Sequence, residues 1–171
     1  MDPLRRFTIP IKGLSLGTHP FEFEITKSFF SHFEDSPIDN GKFKVVIDLD
    51  KRIDMMVLDF HIVGSFNTAC DRCLEKFDLP INRDHNLIVK ITSEMQDDDE
   101  VIYITDAQTE LNLAKYIYEF IILSIPIVKV TDDENIHTCN EEVWNFLEKN
   151  EEEKDSRSNP IWDQLKGFIE N

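Results

Sequence analysis

The stretch that decides the fold runs from residue 43 to residue 62 and reads FKVVIDLDKRIDMMVLDFHI. Apolar and polar side chains alternate in two runs of this stretch, and a period of two residues is typical of a half-buried strand. The apolar members are Phe43, Val45, Ile47 and Leu49 in the first run and Met56, Leu58, Phe60 and Ile62 in the second. Because the connection between the runs is short, the sequence predicts antiparallel strands that share one buried face.

The alternating pattern continues on both sides of this stretch. Two further runs precede it and two follow it, at residues 7–11, 21–25, 77–81 and 87–91. The period then changes, and apolar residues at helical spacing predict a helix that begins at Asp106 or Thr109 and ends at about Ser124. The sequence therefore predicts a meander of strands followed by helices.

The predicted fold class is α+β, with an antiparallel β-sheet meander covered by C-terminal helices. A length of 171 residues is typical of one domain. We predict a single α+β domain over residues 1–147, an acidic linker over residues 148–158, and an amphipathic helix over residues 159–171 that packs on the domain.

The acidic residues of the chain are concentrated in two segments. The net charge is −16, from 34 acidic and 18 basic residues. Residues 94–110 contain seven acidic and no basic residues, and residues 132–155 contain ten acidic residues and two lysines. The rest of the chain is close to neutral. The two segments are either solvated loops that aid solubility or surfaces that repel RNA and engage a basic partner.

The composition indicates a cytoplasmic protein that does not enter the membrane. No apolar run approaches the roughly 18 residues of a membrane helix, and the first residues lack the apolar stretch of a secretory signal. Three cysteines are an odd number, which argues against a framework of disulfides. We therefore expect reduced thiols.

The most informative motif is Cys70-Asp71-Arg72-Cys73, which lies between two strand patterns. Two thiols separated by two residues can both bind one tetrahedral metal. Cys139 and His137 complete a possible Cys3His set for zinc, and the alternative is three reduced, inert thiols. A thioredoxin-type pair needs a helix N-terminus beside it, whereas the residues after Cys73 have a strand pattern.

Arg72 is expected to be exposed at the tip of the turn between the two thiols. Its planar side chain suits a phosphate or another partner group, and the alternative is a surface ion pair with Asp71 or Glu75. The chain has no glycine-rich phosphate loop, no GxSxG and no HExxH sequence. We therefore predict that it is not an enzyme and has no small-molecule substrate.

Several features together resemble one protein family. They are the Cys-x-Arg-Cys motif after a long strand, the acidic and apolar segment 110–126 that ends in Pro126, the later Cys139, and the closing segment 159–166, NPIWDQLK. This combination is similar to the large ribosomal RNA subunit accumulation proteins, the YceD-like family. The resemblance covers the chain from about residue 54 to the C-terminus.

The resemblance implies a non-enzymatic factor that supports the accumulation of large-subunit (23S) ribosomal RNA and ribosome assembly. The implied partner is a large-subunit ribosomal RNA precursor or a basic ribosomal protein, and we expect Arg72 to contribute to the contact. A net charge of −16 disfavours salt-driven RNA binding by this chain alone, which favours the basic protein. The alternative function is a zinc-stabilised protein-interaction module unrelated to ribosomes.

Overall fold

Strands make up most of the regular structure. The computed structural model describes residues 3–92, 101–105, 107–131, 133 and 136–139. The strands are β1 (Thr8–Pro10), β2 (Gly17–Ile25), β3 (Gly41–Lys51), β4 (Met55–Ala69), β5 (Lys76–Ile91), β6 (Val101–Ile104) and β7 (Glu110–Asn112). The helices are α1 (Lys27–Phe30) and α2 (Ala114–Leu123), and a 3₁₀ helix spans Pro3–Phe7.

Five of the strands form one sheet in the order β2-β3-β4-β5-β6. The strands β2 to β5 pair antiparallel with their sequence neighbours, and β6 pairs parallel to β5. The strands β4 and β5 are the longest, at 15 and 16 residues, and the loop that joins them lies at one end of the sheet. A separate antiparallel pair is formed by β1 and β7.

One face of the sheet is buried, as the alternating pattern requires. The register aligns Leu49, Leu58 and Leu87 across three strands, and all three side chains are buried. The helix α2 packs on this face through Phe120, whose ring centroid lies 4.9 Å from that of Phe60. No helix in the described part of the chain has the length and hydrophobicity to cross a membrane.

The predicted α+β class is wrong. Of the described residues, 49% are in strands and 15% are helical, and α2 is a single short helix on the sheet rather than one of several that cover it. The helix expected from Asp106 or Thr109 begins only at Ala114, because Glu110–Asn112 form β7 and pair with β1. The predicted linker and the terminal helix over residues 148–171 lie outside the described residues.

Asn112 connects β7 to the start of α2. Its Oδ1 accepts a hydrogen bond from the backbone N–H of Ala114 at 2.9 Å, and its Nδ2 donates to Leu4 O and Thr8 Oγ1. The first N–H groups of a helix have no acceptor within the helix, so Asn112→Ala should lower the free energy of unfolding by about 1 kcal/mol. Asn112→Asp keeps the acceptor oxygen and should lower the free energy of unfolding by less. Urea unfolding of both variants checks this, and equal losses would contradict the capping role.

His85 lies in β5 on the buried face, against the end of α2. Its ring stacks on Phe120 with centroids 4.8 Å apart. The Ser124 hydroxyl lies 2.6 Å from Phe120 O, to which it donates, so its oxygen accepts a hydrogen bond from His85 Nε2 at 2.8 Å. Burial lowers the pKa of His85, with a contribution in the opposite direction from Asp84 and one in the same direction from Arg83. The folded protein therefore favours the neutral form of His85.

This lowered pKa predicts a pH dependence of stability. Unfolding returns His85 to an ordinary pKa of about 6.5, so the unfolded chain binds the proton first as the pH falls. Stability is then complete above that pH and decreases below it. We expect the melting temperature to fall more steeply between about pH 7.5 and pH 5 in the wild type than in His85→Gln, which cannot titrate. An equal decrease in the melting temperature of the two proteins across this pH range would contradict the prediction.

Candidate metal centre

The loop between β4 and β5 directs two cysteine sulfurs inward. It spans residues 70–75, and its ends are joined by hydrogen bonds from the N–H of Leu74 to Cys70 O and from the N–H of Cys70 to Glu75 O, both at 2.8 Å. Leu74 adopts a left-handed conformation with φ 65°, which lets the chain turn back into β5. Cys70 is 0% exposed and Cys73 is 9% exposed.

The segment that follows α2 is fastened to this loop. The backbone N–H of Asp71 donates to Lys129 O at 3.0 Å, and the N–H of Lys129 donates to Asp71 Oδ2 at 2.7 Å. The Lys129 ammonium lies 3.6 Å from Asp71 Oδ1. Further along, the ring of His137 stacks on Phe77 of β5 with centroids 4.9 Å apart. These contacts place His137 and Cys139 beside the two cysteines of the loop.

Four side chains from these two segments form the metal centre: Cys70, Cys73, His137 and Cys139. Their ligand atoms all lie within 4.8 Å of one another. The Cys70 and Cys139 sulfurs are 3.8 Å apart, which is about the separation of two thiolates on one tetrahedral zinc ion. Cys73 Sγ lies 3.0 Å from His137 Nε2, a hydrogen-bond distance that a shared metal would lengthen by about half an ångström. The four residues could therefore bind one metal ion.

Hydrogen bonding affects the thiols of the centre differently. Burial raises the pKa of Cys70, but hydrogen bonds from the backbone N–H groups of Cys73 and Arg72 and from the other two thiols outweigh burial, so the pKa is lowered. Burial raises the pKa of Cys139 to about 11, and contacts with Cys73 and Cys70 act in the same direction. The surroundings of Cys70 therefore favour its thiolate, whereas those of Cys139 disfavour its thiolate unless a cation is bound nearby. A bound metal would supply that cation.

The structure brings together all four residues that the sequence suggested as metal ligands. It places Arg72 differently from the prediction, because this residue is half-buried rather than exposed at the tip of the turn. Two supports of the centre were not predicted, namely the contact between Asp71 and Lys129 and the stacking of His137 on Phe77. The alternating pattern predicted that Phe77 lies in a strand. Nothing in the sequence around Lys129 predicts that Lys129 contacts the loop.

A second histidine contact lies on the opposite face of the sheet. His61 Nδ1 and Asp84 Oδ1 are 2.5 Å apart, across the β4 and β5 pair. Their side chains are 51% and 81% exposed, so water screens the interaction. This contact is remote in register from the thiols at the β4–β5 loop.

Comparison with known proteins identifies one family. The family described as large ribosomal RNA subunit accumulation protein YceD matches residues 58–169, about two thirds of the chain. No curated protein and no solved structure matches the chain. The matched residues include most of β4, all of β5 and the four residues of the metal centre. The chain therefore belongs to the YceD family of large ribosomal RNA subunit accumulation proteins.

Proposed function

We propose that this protein is a non-enzymatic, cytoplasmic factor that supports the accumulation of large-subunit (23S) ribosomal RNA during ribosome assembly. The observation that carries the proposal is the family match over residues 58–169. Cytoplasmic location is consistent with three cysteines that are all unpaired. The proposed role is to bind an assembly partner and not to catalyse a reaction, since the contact of His61 with Asp84 is exposed and offers little basis for catalysis.

The proposed partner is a large-subunit precursor particle, contacted mainly through a basic ribosomal protein. Residues 3–92 contain 12 basic and 13 acidic residues, so this part of the chain has no excess of cations for the RNA backbone. A basic protein would instead be attracted by the net charge of −16. Arg72 contributes to the contact from its position beside the metal centre.

The function is tested by measuring the ratio of large-subunit to small-subunit ribosomal RNA in cells that lack the protein. We expect a lower ratio of large-subunit to small-subunit ribosomal RNA on sucrose gradients, restored by the wild-type gene. Affinity purification should recover large-subunit precursors or a ribosomal protein, and Arg72→Ala should recover less than Arg72→Lys. An unchanged ratio of the two RNAs in the deletion strain would contradict the proposal.

We further propose that the metal at the centre is zinc and that its role is structural. Three thiolates and one imidazole are a ligand set typical of zinc, and four protein ligands leave no position open for substrate. Protein expressed without a tag should contain about one equivalent of zinc by elemental analysis. Less than about 0.2 equivalents, with three titratable thiols, would contradict the assignment.

The alternative function is a zinc-stabilised protein-interaction module unrelated to ribosomes. The proximity of the four ligand atoms favours it as much as it favours the first proposal. The two functions differ in the deletion strain, because only the ribosomal one changes the ratio of the two ribosomal RNAs.

A further inference from the structure

The contact between the two segments of the metal centre brings the sulfurs of Cys70 and Cys139 close together. Cys70 Sγ and Cys139 Sγ are 3.8 Å apart, although the residues are 69 positions apart in the chain. Cys73 Sγ, which also contacts the other two thiols, lies at hydrogen-bond distance from His137 Nε2, 3.0 Å away. Because an S–S bond is about 2.05 Å long, the Cys70 and Cys139 sulfurs need to approach each other by just under 2 Å to form one.

The two sulfurs of this pair differ in their access to solvent. Cys70 is 0% exposed, whereas Cys139 is only partly buried. A small oxidant therefore reaches Cys139 before Cys70, whose sulfur lies 3.8 Å from that of Cys139. When an accessible thiol is oxidised to a sulfenic acid, a second thiol beside it can react with that sulfenic acid and form a disulfide.

We propose that Cys70 and Cys139 are a redox pair, and that their oxidation to a disulfide and the binding of a metal exclude each other. The inference rests on the proposed zinc site and adds its regulation. A disulfide removes two of the four ligands, and the remaining Cys73 and His137 cannot complete a tetrahedral site. The two segments stay joined after the metal leaves, now by a covalent bond.

The chemistry balances with a peroxide as the oxidant. In the zinc-loaded protein the Cys139 sulfur is a thiolate, which is the nucleophilic form. It attacks one oxygen of hydrogen peroxide, the O–O bond breaks, and with one proton from solvent a sulfenic acid and water form. The Cys70 sulfur then attacks the Cys139 sulfur, so the S–S bond forms, the S–O bond breaks and a second water leaves. In total two thiolates lose two electrons, the peroxide gains these electrons together with two protons from solvent, and the zinc ion keeps its charge of +2 throughout.

The experiment treats the purified, reduced full chain with a small molar excess of hydrogen peroxide. Zinc is quantified before treatment, and its release is then followed with a chromogenic chelator. Disulfides are mapped by mass spectrometry of peptides prepared without reductant. We expect the release of about one equivalent of zinc together with a peptide pair that joins Cys70 to Cys139, and a reductant should allow zinc to bind again.

Two matched variants sharpen the test. Cys73→Ser should still form the bond between Cys70 and Cys139, whereas Cys139→Ser should not form it. The mapping on the wild type needs no variant, so it decides the question even where a variant fails to fold. A main product that joins Cys70 to Cys73, or a sulfinic acid without a disulfide, would overturn the inference.

The result separates this inference from the proposals on which it rests. Zinc that stays bound while the disulfide forms contradicts only the mutual exclusion proposed here. Absence of zinc from the reduced protein contradicts the metal assignment, and the mapped disulfide then still decides whether Cys70 and Cys139 are the redox pair. The ribosomal RNA ratio in the deletion strain is independent of both measurements.

Discussion

Cys70→Ser should abolish the binding of about one equivalent of zinc and lower the free energy of unfolding by several kcal/mol. Cys70 is fully buried, its sulfur is 3.8 Å from that of Cys139, and its thiol is the one whose pKa the loop lowers. A serine hydroxyl at this position is a poor ligand for zinc, and it leaves a polar group in an apolar site. Both effects destabilise the folded protein.

Chelation separates the two effects of Cys70→Ser. A strong chelator should lower the melting temperature of the wild type towards that of the variant and leave the variant unchanged. Ala69→Ser is the matched control, because it adds the same hydroxyl one residue earlier at an exposed position. It should keep its zinc and its stability. A Cys70→Ser protein that retains a full equivalent of zinc would contradict the ligand role of Cys70.

Gly64→Ala should destabilise the protein by at least about 3 kcal/mol, at the upper end of what an added methyl group causes. Gly64 of β4 lies opposite Phe43 of β3 in the register. A Cβ at Gly64 would clash with the backbone oxygen of Lys42 and lie 2.7 Å from Phe43 Cα. Because these are backbone atoms of the paired strand, relief of the clash requires the two central strands to separate.

Gly13→Ala is the control for this substitution. Gly13 has a φ of 108°, and a Cβ there would have nothing within 4 Å, so its cost comes from backbone conformation alone, roughly 1–2 kcal/mol. In urea unfolding, the free energy of unfolding of Gly64→Ala should be well below that of Gly13→Ala. Shortening Phe43 to leucine should not rescue Gly64→Ala, since the clash with Lys42 O remains. Recovery by that second change would mean that the ring, and not the backbone, limits the space.

The strands of the meander were predictable because their signal is local. Alternation over residues 43–62 requires one buried face, and the short connection requires antiparallel pairing. The start of α2 was not predictable, because it depends on the pairing of Thr8 with Asn112 across more than half of the chain. A run of residues with helical spacing carries no sign that its first part is needed as a partner strand.

The metal centre was predictable in its residues but not in its construction. The residue types of Cys70, Cys73, His137 and Cys139 pointed to a common site, although 66 positions separate Cys73 from Cys139. What brings the two segments together is the hydrogen bonding of Lys129 with Asp71, which depends on the path of the chain after α2. The α+β class was wrong because it assigned residues 109–113 to a helix although residues 110–112 form β7, and because it underestimated the length of β4 and β5.

The separation of the two halves of the centre has a consequence for biosynthesis. Cys73 and its hydrogen-bond partner His137 are 64 positions apart, so at about 5–20 residues per second the ribosome takes roughly 3–13 s to make the second half after the first. The β4–β5 hairpin needs only neighbouring residues and can form during that interval. A nascent chain therefore exposes the thiols of Cys70 and Cys73 for several seconds, and the metal centre can close only after Cys139 has been synthesised.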